Sequence, residues 1–291
     1  MMRTSLILLL GSLLLPVSAF AAESVTFTWA PLAGGQTVTE VETLDIQFGI
    51  DIFIGEANLG HMAAQNKESE SHTSVLGKWT DKKKAATLTY GQNGASETQT
   101  TPDGKVEVSE EPSVTANKAY AVRWKAGGEP EVTYEAGGAV PDEERLAVLE
   151  DWSDLVRTEP GDFQGALVGQ TLQVGGALAA DGPALARLLS LDDDDLSVRD
   201  AKVTLQELRM VRGERCGVFA MELAIVGNDS EMNMTMSARG EAVIAVKGLR
   251  THSVTLSGPV SLAATANEGG VQMNMTGGGD FAFGITTTYS K

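Results

Sequence analysis

Methionines that recur at alternate positions are the residues of this chain best suited to bind a metal ion or an apolar ligand. The tetrapeptide Met-Asn-Met-Thr occurs twice, at 232–235 and at 273–276, each time inside a longer alternation of apolar and polar residues. Thioether sulfur selects Cu(I), and the Met-x-Met spacing puts two sulfurs on one face of a strand. The same unbranched side chain also fills gaps in a core or lines an adaptable apolar cavity. Three interpretations are therefore open: packed core, ligand cavity and a Cu(I) site.

A long run of period-two hydrophobicity contains both copies. From Val198 to Lys291, apolar and polar residues alternate over five runs that are separated by turn residues. This pattern predicts a meander of antiparallel strands with one dry face and one wet face. In the first run the phase slips by one residue near Gln206-Glu207, which predicts a β-bulge.

In such a meander the methionine-bearing strand ends lie at the same end of the sheet. The start of the third run, the end of the fourth and the start of the fifth are then neighbours on the inner face. Small residues in the same phase, such as Ala238 and Gly240, would leave room for an acyl chain. The predicted ligand-binding residues are Met232, Met234, Met236, Leu262, Ala264, Met273 and Met275.

The rest of the chain predicts further strands and two helices. Alternating runs in the first half indicate strands, and the polar stretches near 56–84 and 91–117 are predicted to be exposed excursions. Apolar residues at helical spacing predict helices near 142–157 and 182–191. The expected fold is mainly β (α+β), a curved antiparallel meander sheet or half-barrel covered by one or two helices.

Carboxylates are the second set of groups that could form a functional site. The first predicted helix carries several acids, which are expected to form a solvated face: Glu143, Glu144, Glu150, Asp151 and Asp154. Paired carboxylates can nevertheless converge in a fold, as in glycoside hydrolases, so a carboxylate-based hydrolase is an alternative. The sequence contains no phosphate-binding glycine loop, zinc-protease helix or Gly-x-Ser-x-Gly elbow, and no cofactor is predicted.

Cys216 is the only cysteine of the chain, so the protein holds together without an internal disulfide. Its neighbours are apolar, which is typical of a small buried hydrophobe. The three histidines, His61, His72 and His252, lie far from it in sequence, and a nucleophilic thiol is not expected.

The first 21 residues have the pattern of a secretory signal peptide. Arg3 precedes an apolar run, and the triplet Ala19-Phe20-Ala21 predicts cleavage after Ala21. The expected product is one β-rich domain over 22–291, exported to the periplasm or the extracellular space. The apolar run is too short to span a membrane comfortably, so no stable membrane insertion is expected. A net charge of −17 argues against nucleic acid as a partner.

Four segments carry a resemblance to known proteins. They are the stretch 167–175, the helical stretch 184–189, and the strands with Gly213-Glu214-Arg215-Cys216 and Leu256-Ser257-Gly258-Pro259. Together they resemble a group of uncharacterised exported bacterial β-rich proteins. The pattern of a sheet with helices is also similar to lipoprotein-carrier-like half-barrels at the level of the fold. The resemblance implies a helix-covered half-barrel and assigns no functional residue.

These observations predict an exported binding module that is not an enzyme. Its apolar concave sheet face would take a lipid-like small molecule or a protein partner. The alternatives are the carboxylate-based hydrolase and a Met-based Cu(I)-binding protein.

Overall fold

The computed structural model describes residues 23–179, 182–188, 196–228, 232–268 and 271–291, so the predicted signal peptide lies outside the described residues. Most of the described residues form strands. The strands are β1 (Ser24–Thr26), β2 (Thr28–Trp29), β3 (Thr37–Ile54), β4 (Ala57–Leu76), β5 (Lys83–Tyr90), β6 (Gly94–Thr100), β7 (Val106–Pro112), β8 (Ala119–Lys125), β9 (Glu131–Tyr134), β10 (Thr171–Gln173), β11 (Ala177–Leu178), β12 (Leu196–Val211), β13 (Glu214–Asn228), β14 (Met232–Ala245), β15 (Lys247–Gly248), β16 (Thr251–Glu268) and β17 (Val271–Ser290). The helices are α1 (Asp142–Leu155), α2 (Asp162–Leu167) and α3 (Gly182–Leu188). None of the described helices is long and apolar enough to cross a bilayer.

One antiparallel sheet of 13 strands organises the molecule. Its main path runs β11-β12-β13-β14-β16-β17-β3-β4-β5-β8-β9, and the hairpin β6-β7 is attached to β4. The predicted five-strand meander is confirmed as β12-β13-β14-β16-β17. The register of β12 against β13 shifts between Leu205 and Glu207, where the sequence predicts the bulge. Over the described residues the path ends at β11 and β9, so the sheet stays open.

The pairing of β17 with β3 joins the two halves of the chain. It runs from Asn274 opposite Phe53 to Ser290 opposite Thr37. The last strand of the meander is therefore continued by the long hairpin of β3 and β4, and the apolar face of the meander extends across this hairpin.

Much of the polar stretches near 56–84 and 91–117 forms strands of the sheet, and many of their side chains are exposed. β4 lies inside the sheet and pairs with β3 along most of its length. β6 and β7 form a hairpin in which every residue of β7 is exposed. Backbone pairing with neighbouring strands satisfies the peptide groups of these segments, while their polar side chains can face water.

Glycines on the inner face allow neighbouring strands to approach closely. A Cβ atom at Gly240 would lie 1.7 Å from the Thr255 carbonyl oxygen, and one at Gly279 would lie 1.7 Å from the Gln47 carbonyl oxygen. No side chain fits at such a distance, so these positions require glycine. Glycine at such positions is a common device for bending a sheet.

The helices pack on the concave face in two separate cores. α2 and α3 bury Phe163, Leu167 and Leu185 against the meander, in one cluster with Phe219 and Val254. α2 and α3 therefore bury the apolar face of the meander, which would otherwise be exposed to water.

The second core lies under α1. Val148, Trp152 and Leu155 pack with Leu88 and Tyr120 on the neighbouring strands. The predicted helix near 142–157 corresponds to α1 and the one near 182–191 to α3, whereas the six-residue α2 was not predicted.

Candidate functional site

Strand register brings the predicted methionine site together. Met234 lies opposite Leu262, and Met275 lies opposite Ala264. The backbone of Met232 also pairs with Ala264. Because partners in register share a face, six of the predicted residues lie on one end of the inner face, and the backbone of the seventh, Met232, lies beside them. We call these seven residues the methionine face.

The methionine face continues onto the N-terminal hairpin. Met275 is opposite Ile52 on β3, and Ile50 is opposite Met62 on β4. All three of these hairpin side chains are half-buried. The apolar surface therefore extends over β14, β16, β17, β3 and β4 near their tips.

Burial decreases along this surface toward the strand tips. Met236 is only 5% exposed and belongs to the core around α2 and α3. Met234, Leu262, Met273 and Met275 are half-buried. The packed-core interpretation therefore describes Met236, while the outer part of the methionine face keeps an accessible apolar surface.

A cavity of about 470 Å³ lies elsewhere, at the junction of the two cores. Its volume falls in the range of about 300–1,000 Å³ that is usual for small-molecule sites. Apolar walls come from both cores, and the polar wall carries several acids. Among the apolar residues are Trp29, Val38, Leu155, Phe163, Val254 and Ile285. We call this space the acidic cavity.

The register of β3 explains why acids collect in this cavity. Glu40 and Glu42 alternate in phase with the buried Val38, so they point to the concave face. His72 on β4 lies opposite Glu40, and Glu70 lies opposite Glu42.

Hydrogen bonds connect the acids to the sheet and to α1. On the sheet side, the Thr287 hydroxyl donates to Glu40 Oε2 at 3.0 Å. On the helix side, the Tyr90 hydroxyl donates to Asp151 Oδ2 at 2.5 Å. Asp151 thus presents a carboxylate from α1 toward the carboxylates of β3 and β4.

Burial shifts the proton affinity of this cluster. It raises the pKa of Glu42 from 4.5 to about 7, with smaller contributions from Glu40 and Glu70. Burial also raises the pKa values of Glu40, Glu70 and Asp151, and the nearby His72 partly offsets the rise in each of these three. The pKa of the Tyr90 hydroxyl is raised by burial and by Asp151. The cluster therefore holds protons at a pH where ordinary carboxyls have lost them.

The prediction that the acids of α1 form an exposed face is wrong for two of them. Asp151 is half-buried at the acidic cavity, and Glu144 is only 8% exposed. Both lie on the face of α1 that carries Val148 and Trp152, because residues three, four or seven apart share a helix face. The other four acids of the helix, Asp142, Glu143, Glu150 and Asp154, are exposed.

Glu144 anchors the first turns of α1. Its carboxylate accepts hydrogen bonds from Lys118 Nζ at 2.9 Å, from the Tyr120 hydroxyl at 2.6 Å and from the Tyr134 hydroxyl at 2.9 Å. These bonds, that of Tyr120 first, hold the pKa of Glu144 below its ordinary value. This carboxylate is a structural anion with fully used acceptors.

A second cluster of polar side chains lies around Glu214. Its carboxylate is 3.0 Å from His252 Nε2 and accepts a hydrogen bond from Arg250 at 2.9 Å. The neighbouring Cys216 is fully buried, and burial raises the pKa of its thiol to about 11. The prediction of a buried cysteine is confirmed.

A larger and more open groove of about 990 Å³ runs between the β6-β7 hairpin and the middle of the sheet. Its charged lining mixes both signs, with Lys67 and Arg239 beside Asp45 and Glu110. Because it lacks both an enclosed apolar wall and a group of perturbed side chains, it is a weaker candidate than the acidic cavity.

Sequence reasoning did not find the acidic cavity, although one signal was present. Glu40 and Glu42 occur in the inward phase of an otherwise apolar strand, where acids are rare. Their partners His72 and Asp151 lie in other elements, so only the fold places them together.

Among the described residues, no group of three or more His, Cys, Asp or Glu side chains has an arrangement that could hold a metal ion. No protein-family model matches the chain, and no curated protein matches it in sequence. The resemblance to exported β-rich proteins therefore stays a prediction.

Proposed function

We propose that this protein is an exported, non-enzymatic binding module that holds a lipid-like ligand on the concave face of its sheet. One observation carries the proposal: a single apolar face is buried under the helices and becomes half-exposed at its outer end. Val254 and Leu256 on β16 are 0% and 3% exposed, whereas Leu262 and Ala264 farther along the same strand are half-buried.

The exposed end has the shape and chemistry that an apolar chain requires. From Ile46 to Ile52 the apolar face of β3 extends over roughly 20 Å, at about 3.3 Å per residue. Methionine side chains adapt to ligands of different shape. Continuous apolar surfaces of this kind usually mark interaction sites.

The first test is native mass spectrometry of the protein purified without detergent from a host that exports it. We expect an adduct of several hundred daltons that organic solvent removes. A fluorescent long-chain fatty acid then serves as the probe for binding in solution. A protein that carries no adduct and does not bind the probe would contradict the proposal.

Variants on the two faces of β17 localise the binding. Met275→Glu puts a charge on the methionine face and should weaken binding of the fatty acid at least tenfold, or about 1.4 kcal/mol. Thr276→Glu puts the same charge on the exposed outer face of the strand and should leave affinity unchanged. Equal effects of the two variants would show that the ligand does not bind on this face.

Met275→Leu separates the apolar ligand from the Cu(I) alternative. It keeps the apolar surface but removes the sulfur, so fatty-acid binding should persist. Binding of Cu(I) to the wild type that this variant abolishes, without any fatty-acid binding, would favour the metal interpretation. Capture of a protein by the wild type that Met275→Glu abolishes, again without fatty-acid binding, would favour the protein-partner form of the proposal.

A carboxylate-based hydrolase is the second candidate, because the acidic cavity places several acids on a ligand-sized space. With a pKa of about 7, Glu42 is protonated often enough at neutral pH to donate a proton to a leaving group. An ionised partner carboxylate would then stabilise or attack the reacting carbon. A panel of chromogenic glycosides tests this function, since Glu42→Gln should abolish any turnover and Glu222→Gln, on the exposed side of β13, should not.

A further inference from the structure

α1 covers the acidic cavity and contributes two of its acids. Asp151, Asp154 and Leu155, on the C-terminal half of the helix, line the cavity. The first turns are held separately, by the bonds of Glu144 to Lys118 and two tyrosines. The N-terminal half of α1 is therefore held by an ionised carboxylate, whereas the C-terminal half lies over a cluster of carboxyls with raised pKa values.

The charges around Asp151 come from every neighbouring element. They are Glu40 and Glu42 on β3, Glu70 and His72 on β4, Tyr90 on β5, Tyr289 on β17, Asp154 and Arg157 at the end of α1, and Arg250 before β16. Arg157 is paired with Asp154, and Arg250 is paired with Glu214. Lys84 donates to the Val156 carbonyl just beyond the helix.

Because both arginines have other partners, His72 is the remaining basic side chain beside four carboxyls in the part of the chain that the structure describes. Three of these carboxyls, Glu40, Glu42 and Glu70, belong to the sheet, and the fourth, Asp151, belongs to the helix. When the cluster is ionised, the repulsion acts between α1 and the sheet. When the cluster is protonated, the Tyr90 hydrogen bond to Asp151 and the core contacts of Trp152 keep α1 packed against the sheet.

We propose that the C-terminal half of α1 is a pH-sensitive cover of the acidic cavity: ionisation of the carboxyls on β3 and β4 loosens it, and their protonation closes it. The device is independent of the methionine face, which lies at the other end of the sheet. Raised proton affinity in the closed form means that closure is favoured at low pH and is lost as pH rises through neutrality.

Hydrogen exchange of the full chain tests the cover. It is measured at about pH 5.5 and about pH 8.5, on either side of the Glu42 pKa of about 7, and corrected for intrinsic exchange rates. We expect opening at 148–155 to increase at least tenfold at the higher pH, the factor that corresponds to one pKa unit. Opening at 148–155 should stay more frequent than opening of the buried strand β13 at both pH values. Equal opening of the two segments would mean that the whole domain loosens and would overturn the proposal.

A matched pair of variants on α1 tests the cause. Asp151→Asn removes the helix charge that the ionised sheet carboxyls repel but keeps an oxygen that can accept from Tyr90, so its opening should change with pH less than that of the wild type. Glu143→Gln removes a charge from the exposed first turn and should behave like the wild type. If Asp151→Asn keeps the full tenfold response, the cover is not controlled by this cluster.

Tryptophan fluorescence of the wild type gives a readout that does not depend on a variant. Trp152 is 3% exposed and packs edge-to-face on Trp79, with ring centroids 6.1 Å apart. Loosening of α1 should shift its emission to the red with a midpoint near pH 7, and Trp152→Phe should remove this transition. A flat titration of the wild type between the two pH values would also overturn the proposal.

Discussion

Glu42→Gln measures how strongly a raised pKa shapes the stability of this fold. Glu42 lies on β3 opposite Ile285 of β17 and Glu70 of β4, and burial raises its pKa from 4.5 to about 7. Glutamine has nearly the shape of a protonated glutamate and cannot ionise. The substitution therefore keeps the side chain in the neutral form that the folded state prefers.

The expected change in the free energy of unfolding follows from the rise in the pKa of Glu42. Between about pH 4.5 and 7 the folded protein binds a proton that the unfolded chain has released, so the contribution of Glu42 is fully present below this window and is lost as pH rises through it. A shift of about 2.5 units corresponds to about 3 kcal/mol at 1.36 kcal/mol per unit. Because Glu42 is partly exposed, solvent screening reduces this to about 1–2 kcal/mol. Glu42→Gln should therefore be more stable than the wild type by that amount at pH 8 and equally stable at pH 4.5.

Urea unfolding at pH 4.5, 6 and 8, followed by circular dichroism, gives the free energy of unfolding for this comparison. The control is Glu222→Gln, which removes the same charge from an exposed position on β13 and should change stability by less than about 0.5 kcal/mol at every pH. The reasoning is refuted if Glu42→Gln gains no stability between pH 4.5 and pH 8, or if Glu222→Gln gains as much.

Three further substitutions test the anchor of α1, the curvature of the sheet and the larger core by the same unfolding assay. Glu144→Gln should cost about 2 kcal/mol at pH 7 by weakening three hydrogen bonds, and this cost should shrink as pH falls through the lowered pKa of Glu144. Gly279→Ala should cost about 3 kcal/mol or more because its Cβ would lie 1.7 Å from a carbonyl oxygen, whereas Gly165→Ala, in open space on α2, should be neutral or stabilising by up to about 1 kcal/mol. Phe219→Ala should cost about 3–5 kcal/mol, since this ring is fully buried, and a loss below about 1 kcal/mol would contradict its place in the core.

Local periodicity in the sequence was sufficient to predict the meander of β12 to β17 and the helices α1 and α3. The period of two along a strand and the spacing of three to four along a helix are properties of short segments. For the same reason the bulge near Glu207 and the common face of Met234 and Met275 could be predicted, since neighbouring strands of a meander follow one another in the chain.

Only the tertiary structure decided the pairing of β17 with β3, the position of β4 inside the sheet and the acidic cavity. Each of these three features depends on contacts between segments far apart in sequence. Such contacts produce no periodic pattern of apolar residues within a short segment. β4 carries polar side chains that resemble a loop until backbone pairing is known. Glu42 and Asp151 become one cluster only when strand register and the packing of α1 place them together. Register and packing are nonlocal, and they determined the burial that separates a solvated acid from a perturbed one.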